Sequence, residues 1–147
     1  MDTGSLRTVI LDAMVKKAEE VYAADPDYQK HGRRGFFVAE IKNDTVEGQW
    51  DSSCRPFFQV SLPPGTEGPL TINNGTNFEA TARGKAAYCR RTGKNSGTNY
   101  YEVLGTESWW YGALISADGK CICAFSGLKG HDDVAIAQAG LDEYDRR

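Results

Sequence analysis

The sequence has little of what marks several large protein classes. Its 147 residues include only two histidines and five prolines, and no apolar run approaches the about 18 residues of a transmembrane helix. The first residues also lack the basic and then apolar stretch that is typical of a secretory signal peptide. We therefore expect a cytoplasmic protein without a membrane partner.

An excess of charge of one sign is also missing. The chain has 17 Lys and Arg against 20 Asp and Glu, a net charge of −3. A general nucleic-acid-binding protein would show a basic face. The pairs Arg33-Arg34 and Arg90-Arg91 are more typical of solvated turns and helix ends. We expect no nucleic-acid partner.

The few cysteines and histidines do not form a familiar metal or nucleophile motif. Cys121 and Cys123 are two residues apart on a predicted strand, so they share one face and are interpreted as small buried hydrophobes. Their spacing is not the C-x₂-C of a zinc site. No Ser/His/Asp set, Cys/His set or phosphate-binding loop motif stands out. We expect no metal site.

The length and composition, with 40% hydrophobic and 25% charged residues, indicate one domain. Helical spacing of apolar residues predicts three helices. The first follows Ser5 as N-cap, has its apolar residues between Leu6 and Val21, and ends near Asp25 because of Pro26. The second is Phe78–Arg91, capped by Asn77 or Thr76 and closed by Gly93, and the third is about Asp132–Tyr144.

Strands are predicted between these helices. They are Gly35–Ile41, then Thr45–Trp50 after a turn at Asn43-Asp44, then Phe57–Leu62, then Trp109–Ala117 and Lys120–Ser126. Asp118-Gly119 between the last two indicates a hairpin with a type I′ turn. Tyr28–Arg34 is predicted to be a loop, Pro63–Asn77 a lid or an insertion, and Tyr100–Leu104 either a short helix or irregular. Helices at both ends with hairpins between them favour an antiparallel sheet.

The carboxyl-terminal half resembles a known family. The motifs are Gly112-Ala113-Leu114-Ile115, Asp118-Gly119, Ala124-x-Ser126-Gly127, Asp132-Asp133 and Ala135-x-Ala137-x-Ala139-Gly140, preceded by Ala82-Arg83-Gly84-Lys85-Ala86-Ala87. In this order they are similar to GlcG/HbpS-like proteins, the "haem-degrading domain" family. The resemblance covers about residues 78–144.

The resemblance implies a profilin-like α+β fold, an antiparallel sheet flanked by helices. It also implies a homo-oligomer, and haem is one candidate cofactor because some family members bind it. In some of them a histidine on the N-terminal helix is the haem ligand. This chain has no histidine there, and His31 lies in the sequence beyond that helix.

Lys85 and Asp133 are the candidate acid–base residues. Lys85 lies in an alanine-rich helix, and a carboxylate such as Asp118 or Asp133 is its expected partner. The pair is either a structural ion pair or an anchor for a ligand.

The other candidate ligand-binding residues lie near the last hairpin. Trp109 and Tyr111 are expected on one strand face, as a pocket wall or an oligomer contact. Ser126 and Gly127 lie in a loop whose backbone N–H groups suit an anion. His131 and Asp132 either surround a ligand together with Asp133 or simply begin the helix. His31 and the arginines after it suit an anionic ligand or form a solvated loop.

Three functional hypotheses remain open at this stage. The first is a self-associating protein that binds a small molecule, with haem or an organic acid as ligand. The second is a small lyase, isomerase or haem-modifying enzyme that uses Lys85 or an aspartate as acid or base. The third is an assembly protein without a ligand.

Overall fold

The chain forms an antiparallel sheet with helices on both faces. The computed structural model describes residues 2–59, 77–97 and 110–147. The elements are α1 (Thr3–Ala24), α2 (Pro26–His31), β1 (Arg33–Lys42), β2 (Trp50–Gln59), α3 (Phe78–Thr92), β3 (Ala113–Ile115), β4 (Cys121–Ser126) and α4 (Gly130–Asp145). The strand order is β2-β1-β4-β3, and all neighbours are antiparallel. The predicted α+β arrangement is confirmed.

Helix α1 begins earlier than predicted because Asp2, and not Ser5, is its N-cap. The Asp2 carboxylate accepts a hydrogen bond from the backbone N–H of Ser5 at 2.8 Å, which satisfies a donor of the first turn. The predicted apolar stripe is confirmed, since Ile10 and Met14 are fully buried. No helix among the described residues combines the length and the apolar character that crossing a bilayer requires.

The segment after α1 is not the loop that was predicted for Tyr28–Arg34. Asp25 caps a short helix, α2, and its side chain accepts a hydrogen bond from the backbone N–H of Asp27. Pro26 stands in the first turn of α2, where its missing N–H costs nothing. Strand β1 then begins at Arg33.

The connection between β1 and β2 is longer than predicted. Residues 43–49 connect the strands, so the expected partner strand Thr45–Trp50 is wrong except for its last residue. The Asn43 side chain accepts hydrogen bonds from the backbone N–H groups of Thr45 and Val46. This local bonding competes with strand pairing and holds the chain in a turn.

Strand β2 includes part of a segment that was predicted as a separate strand. Phe57, the first residue of the predicted strand Phe57–Leu62, lies in β2 opposite Gly35 of β1. Its ring is buried and contacts Phe37 and Phe125 edge to face. Residues 60–62 lie outside the described part of the chain, as do residues 63–76 and 100–104 of the other two predicted segments.

The hairpin of β3 and β4 is confirmed, but its turn is different. Ile115 pairs with Ile122 across the hairpin. Gly119 has a φ of 74°, whereas among the described residues, Asp118 included, none other than glycine has a positive φ, so Asp118 cannot be in a type I′ turn. The Asp118 carboxylate instead accepts hydrogen bonds from the Ser116 hydroxyl at 2.5 Å and the Lys120 N–H at 2.9 Å.

Strand β3 is also shorter than the predicted strand Trp109–Ala117. It begins at Ala113, so Trp110 and Tyr111 lie in a bend before it and not on a strand face. Trp109 lies outside the described residues.

The two faces of the sheet carry different layers. On one face α1 and α4 cover a core rich in large side chains, which include Phe37, Phe57 and Phe125. On the other face α3 covers Val38, Ile122 and Ala124 with its own alanines. Cys121 and Cys123 are fully buried on the α1 and α4 side, with their sulfurs 4.0 Å apart, as expected for small hydrophobes that share one face.

Candidate functional site

A buried ion pair connects the two helical layers at one end of the sheet. Lys85 extends from α3, and its Nζ donates a hydrogen bond to the Phe125 carbonyl at 2.9 Å. The same Nζ lies 3.4 Å from Oδ2 of Asp133 on α4, and neither side chain is more than 3% exposed. Asp133 Oδ1 accepts a hydrogen bond from the Leu128 N–H at 3.0 Å. Asp133 is therefore the partner of Lys85, whereas Asp118 is not.

Gly112 makes this arrangement possible. It lies just before β3 with a φ of 120°, in a region that L side chains rarely adopt. A Cβ at this position would lie 2.8 Å from Lys85 Nζ and 2.6 Å from the Phe125 carbonyl oxygen. The glycine backbone therefore packs directly against the pair and leaves no room for a side chain or a ligand.

Burial changes the proton affinities of both partners. It raises the pKa of Asp133 to about 7, because desolvation of the carboxylate outweighs the attraction of Lys85. Burial also lowers the pKa of Lys85, although Asp133 acts in the opposite direction. Groups that exchange protons near neutral pH suit acid–base chemistry. In this conformation, however, the pair does not reach the surface.

Asp132, the neighbour of Asp133 in the chain, forms a hydrogen bond with Tyr28 of α2. The Tyr28 hydroxyl donates a hydrogen bond to Asp132 Oδ2 at 2.5 Å and accepts one from the Lys129 N–H at 2.8 Å. Burial and then Asp132 raise the pKa of Tyr28. Sequence reasoning missed Tyr28 because it placed this residue in a loop. Proline directly after a capping aspartate was the signal that could have revealed α2.

The loop after β4 is occupied by the protein's own groups. Ser126 is buried opposite Phe36 of β1, and Gly127 packs against the β1 backbone. The next two backbone N–H groups, of Leu128 and Lys129, donate to Asp133 and Tyr28. These amides are therefore not available to an anion.

A cavity of about 550 Å³ lies beside the first turn of α4. Among the described residues it is lined by Tyr111, Gly130, His131 and Val134. The ring of Trp110 stands edge to face against Tyr111 at 6.3 Å, with half of the Trp110 surface exposed. We call this concave region the Tyr111 cavity. Its lining is aromatic and aliphatic, with one imidazole.

Among the described residues, the Tyr111 cavity brings together two of the predicted ligand-binding residues, and Trp109 lies outside the described part of the chain. Tyr111 and His131 line it, whereas Lys85, Ser126 and Gly127 are buried elsewhere, and Asp132 is held by Tyr28. The His131 side chain is 76% exposed, and its Nε2 lies 3.5 Å from Asp132 Oδ1. Val134 was missed, because its helix position gave no sign of a cavity.

The described residues do not form a recognisable metal or haem site. No cluster of three or more His, Cys, Asp or Glu side chains occurs among them. The part of the Tyr111 cavity lining that the structure describes provides one imidazole for an iron atom and no Lys or Arg for haem propionates. The lining described here therefore does not fit haem well.

Comparison of the chain with protein-family models, with curated proteins and with solved structures found no match. The resemblance to GlcG/HbpS-like proteins therefore depends on the sequence motifs alone and stays a prediction.

Proposed function

We propose that this protein is a binding protein for a small molecule, which lies in the Tyr111 cavity. The observation that carries the proposal is the cavity itself, with an aromatic wall and an exposed imidazole at its edge. Its volume lies within the range of about 300–1,000 Å³ that is typical of small-molecule sites.

The lining favours a flat and mostly apolar ligand. Tyr111 and Val134 provide apolar surface, and aromatic rings bury a large area at little cost in conformational entropy. His131 offers a single polar contact. An organic acid with an aromatic or conjugated body suits this combination better than a highly charged ligand.

Self-association forms part of the proposal. Trp110 is 50% and Phe58 63% exposed, and large apolar side chains are enriched in the cores of subunit interfaces. Light scattering at micromolar concentration tests this part, because a monomer would contradict it.

We also propose a cytoplasmic location and membership in the GlcG/HbpS-like group. All four cysteines are free, and three of them are buried. Reduced cysteines are typical of the cytosol, where disulfides rarely persist.

The enzyme hypothesis has one observation in its favour. The pKa of Asp133, raised to about 7 by burial, suits a general acid or base. Against it, Gly112 and the Phe125 carbonyl close off the Lys85–Asp133 pair. A binding protein requires no opening of this region, so we prefer that function.

Native mass spectrometry of protein from its own host, followed by ligand titration, tests the proposal. The probes are haemin, flavin mononucleotide and an aromatic carboxylic acid, with tryptophan fluorescence as the signal. We expect saturable binding of a retained molecule or of one probe. We also expect the Tyr111→Ala variant to bind that molecule or probe about tenfold more weakly, in line with the loss of an aromatic contact.

Two further variants make the result specific. His131→Ala removes an exposed side chain and should leave the fold intact, so a weaker affinity in this variant places the ligand at the Tyr111 cavity. Lys16→Gln on the exposed side of α1 is the control and should bind like the wild type. The proposal is overturned if no molecule is retained and no probe binds, or if neither Tyr111→Ala nor His131→Ala changes the affinity.

A further inference from the structure

The two outer edges of the sheet differ in how their backbone groups are satisfied. At the β3 edge, the Ala113 N–H donates to the Ser96 hydroxyl at 2.9 Å, and the Ala113 carbonyl accepts from the Ser96 N–H at 3.0 Å. The Ile115 N–H donates to the Asn95 side chain at 2.9 Å. The chain itself therefore closes this edge. The other edge of the sheet is β2, a strand of 10 residues.

The hydrogen-bond register shows which backbone groups of β2 face outward. The Asn43 N–H donates to the Gln49 carbonyl at 2.9 Å, and these two residues continue the β1–β2 register by one position. In an antiparallel ladder such hydrogen-bonded pairs recur at every second residue. The pair of Asp51 with Ile41 is therefore hydrogen-bonded as well, as are the other odd-numbered residues of β2. The N–H and C=O groups of its even-numbered residues point away from β1.

The outward backbone groups of β2 are open. Ser52, Cys54 and Pro56 are exposed, and within the described part of the chain no group forms a hydrogen bond with the outward backbone groups of this strand. Pro56 belongs to the outward set, where its missing N–H interrupts no bond to β1. Trp50, Ser52 and Cys54 each keep a donor and an acceptor. Unpaired groups of this kind form a template for another strand.

The sequence of β2 is complementary to itself when two copies run antiparallel. In a two-fold arrangement centred on Ser53, Asp51 of each copy stands opposite the partner's Arg55, and opposite charges directly across two strands stabilise their pairing. On the other face of the strand, Trp50 stands opposite the partner's Pro56. The same register places the outward backbone groups of the two copies opposite each other, because even-numbered residues then pair with even-numbered ones.

The two charges in this register are available to a second copy. Among the described residues, the Asp51 carboxylate has as hydrogen-bond partners only the neutral side-chain amides of Asn43 and Gln49. Arg55 binds Asp12 at 2.8 Å through one guanidinium nitrogen, and the Arg55 side chain is 36% exposed. A guanidinium has five N–H donors, so Arg55 can bind a second carboxylate without releasing the first.

We propose that the outer edge of β2 pairs antiparallel with β2 of a second copy of this chain, in the register centred on Ser53. The two sheets then form one continuous sheet across a two-fold axis. This inference rests on the self-association proposed above, names its interface and does not depend on the ligand. The exposed Phe58 lies on the same strand. A second copy is the occupant because the charges of β2 match those of β2 itself.

Disulfide trapping tests the register. Position 52 stands opposite the partner's Cys54 with the Cα separation of about 5.5 Å of a hydrogen-bonded pair, which suits a disulfide. Ser52→Cys should therefore give a covalent dimer after mild oxidation with diamide, seen on a non-reducing gel. The wild type should crosslink about tenfold more slowly, because its two Cys54 side chains are diagonal neighbours about 7–8 Å apart. Ser52→Cys combined with Cys54→Ser is the control and should behave like the wild type. The other three cysteines are buried.

Charge reversal tests the ion pair, with sedimentation equilibrium at low ionic strength as the measurement. Asp51→Lys places two cations opposite each other and Arg55→Glu two carboxylates, so each variant should dimerise about tenfold more weakly than the wild type. An equimolar mixture of the two variants restores both pairs of opposite charges, and its dimer affinity should return to that of the wild type. A folding defect in one variant would not be repaired by mixing. Lys16→Gln on α1 should dimerise like the wild type.

Three results would overturn this inference. They are the absence of a covalent dimer from Ser52→Cys, equally fast crosslinking of the wild type, and a mixture of the charge variants that dimerises no better than either alone. If light scattering still shows an oligomer in these cases, self-association stands but uses another surface. A monomeric protein refutes self-association and this interface together. Ligand binding is measured separately by titration, so its failure leaves these outcomes unchanged.

Discussion

Two of the ion pairs that α3 forms with carboxylates differ in how far water reaches them. Lys85 and Asp133 are almost completely shielded from solvent, with side chains 0% and 3% exposed. Arg90 and Glu40 lie at the opposite end of the sheet, where the Arg90 side chain is 33% exposed and that of Glu40 is 8% exposed. The Lys85–Asp133 pair is therefore closed to solvent, whereas solvent reaches the Arg90–Glu40 pair from the arginine side.

The difference shows what a charge needs in order to be buried. Lys85 and Asp133 have lost water, and the Phe125 carbonyl and the Leu128 N–H replace it. Such a pair costs much to break, because removal of one partner leaves the other charge without compensation. Arg90 keeps access to water although Glu40 beneath it is buried, so water can take the place of the guanidinium when Arg90 is replaced.

The largest effect we expect is that of Lys85→Met. This change removes the cation beside Asp133, which must then keep an uncompensated buried charge or take up a proton, and it leaves the Phe125 carbonyl without its donor. It should lower the free energy of unfolding by about 3–5 kcal/mol. Urea denaturation at neutral pH measures it. Lys85→Met combined with Asp133→Leu should lose less than the sum of the two single changes, and a loss below about 1 kcal/mol for Lys85→Met would contradict the buried charge pair.

The second expected effect is a pH dependence that Asp133→Asn removes. Since burial raises the folded-state pKa of Asp133 to about 7, the native protein binds a proton that the unfolded chain releases near its ordinary pKa. The stability due to this proton is fully present below the unfolded pKa and is lost as the pH rises through about 7. The stability of the wild type relative to Asp133→Asn should therefore decrease between about pH 4 and about pH 8, because the folded protein holds the proton over this range and the unfolded chain does not. An increase over this range would show a lowered pKa instead.

The third effect compares two glycines with positive φ. Gly112→Ala should destabilise the protein by about 2–4 kcal/mol, because the methyl group would collide with Lys85 and the Phe125 carbonyl in addition to the backbone strain. Gly119→Ala should cost only about 1 kcal/mol, since nothing lies within 4 Å of its Cβ position. Thermal and urea denaturation of both variants measure the difference. Equal losses of stability in the two variants would contradict the close packing of Gly112 against Lys85 and the Phe125 carbonyl.

A smaller effect is expected from Arg90→Met at the other end of the sheet. Loss of the ion pair with Glu40 should cost about 1–2 kcal/mol at low salt and less at high salt, because the Arg90 side chain is 33% exposed and its shorter replacement lets water approach the Glu40 carboxylate. Urea denaturation at two salt concentrations provides the measurement. A loss as large as that of Lys85→Met would remove the contrast between the two ends of the sheet.

Much of the fold was predictable because local chemistry determines it. The apolar stripe of α1 and the hairpin at Asp118-Gly119 were predicted, and Asn77 was one of the two candidates for the cap of α3. The errors arose where side chains bond to a nearby backbone, as Asn43 does after β1 and Asp118 does in the last turn. Such bonds change a turn without changing the pattern of apolar residues.

The candidate sites were less predictable than the fold. Lys85 and Asp133 were named together from the sequence, but as one of two pairings. The Tyr111 cavity includes Val134, which nothing in the sequence connected with Tyr111. The two residues come from separate parts of the chain, and only the packing of α4 beside β3 brings them together.

The sequence by itself determined the periodicity of the helices, the pairing of the last two strands and the number of charges available. Only the tertiary structure decided which charges lose their water. A side chain's solvation depends on what packs over it, and for Lys85 that is the backbone of Gly112, 27 positions away (112 − 85). Contacts of this kind are set by the packing of layers and leave no trace in local residue patterns.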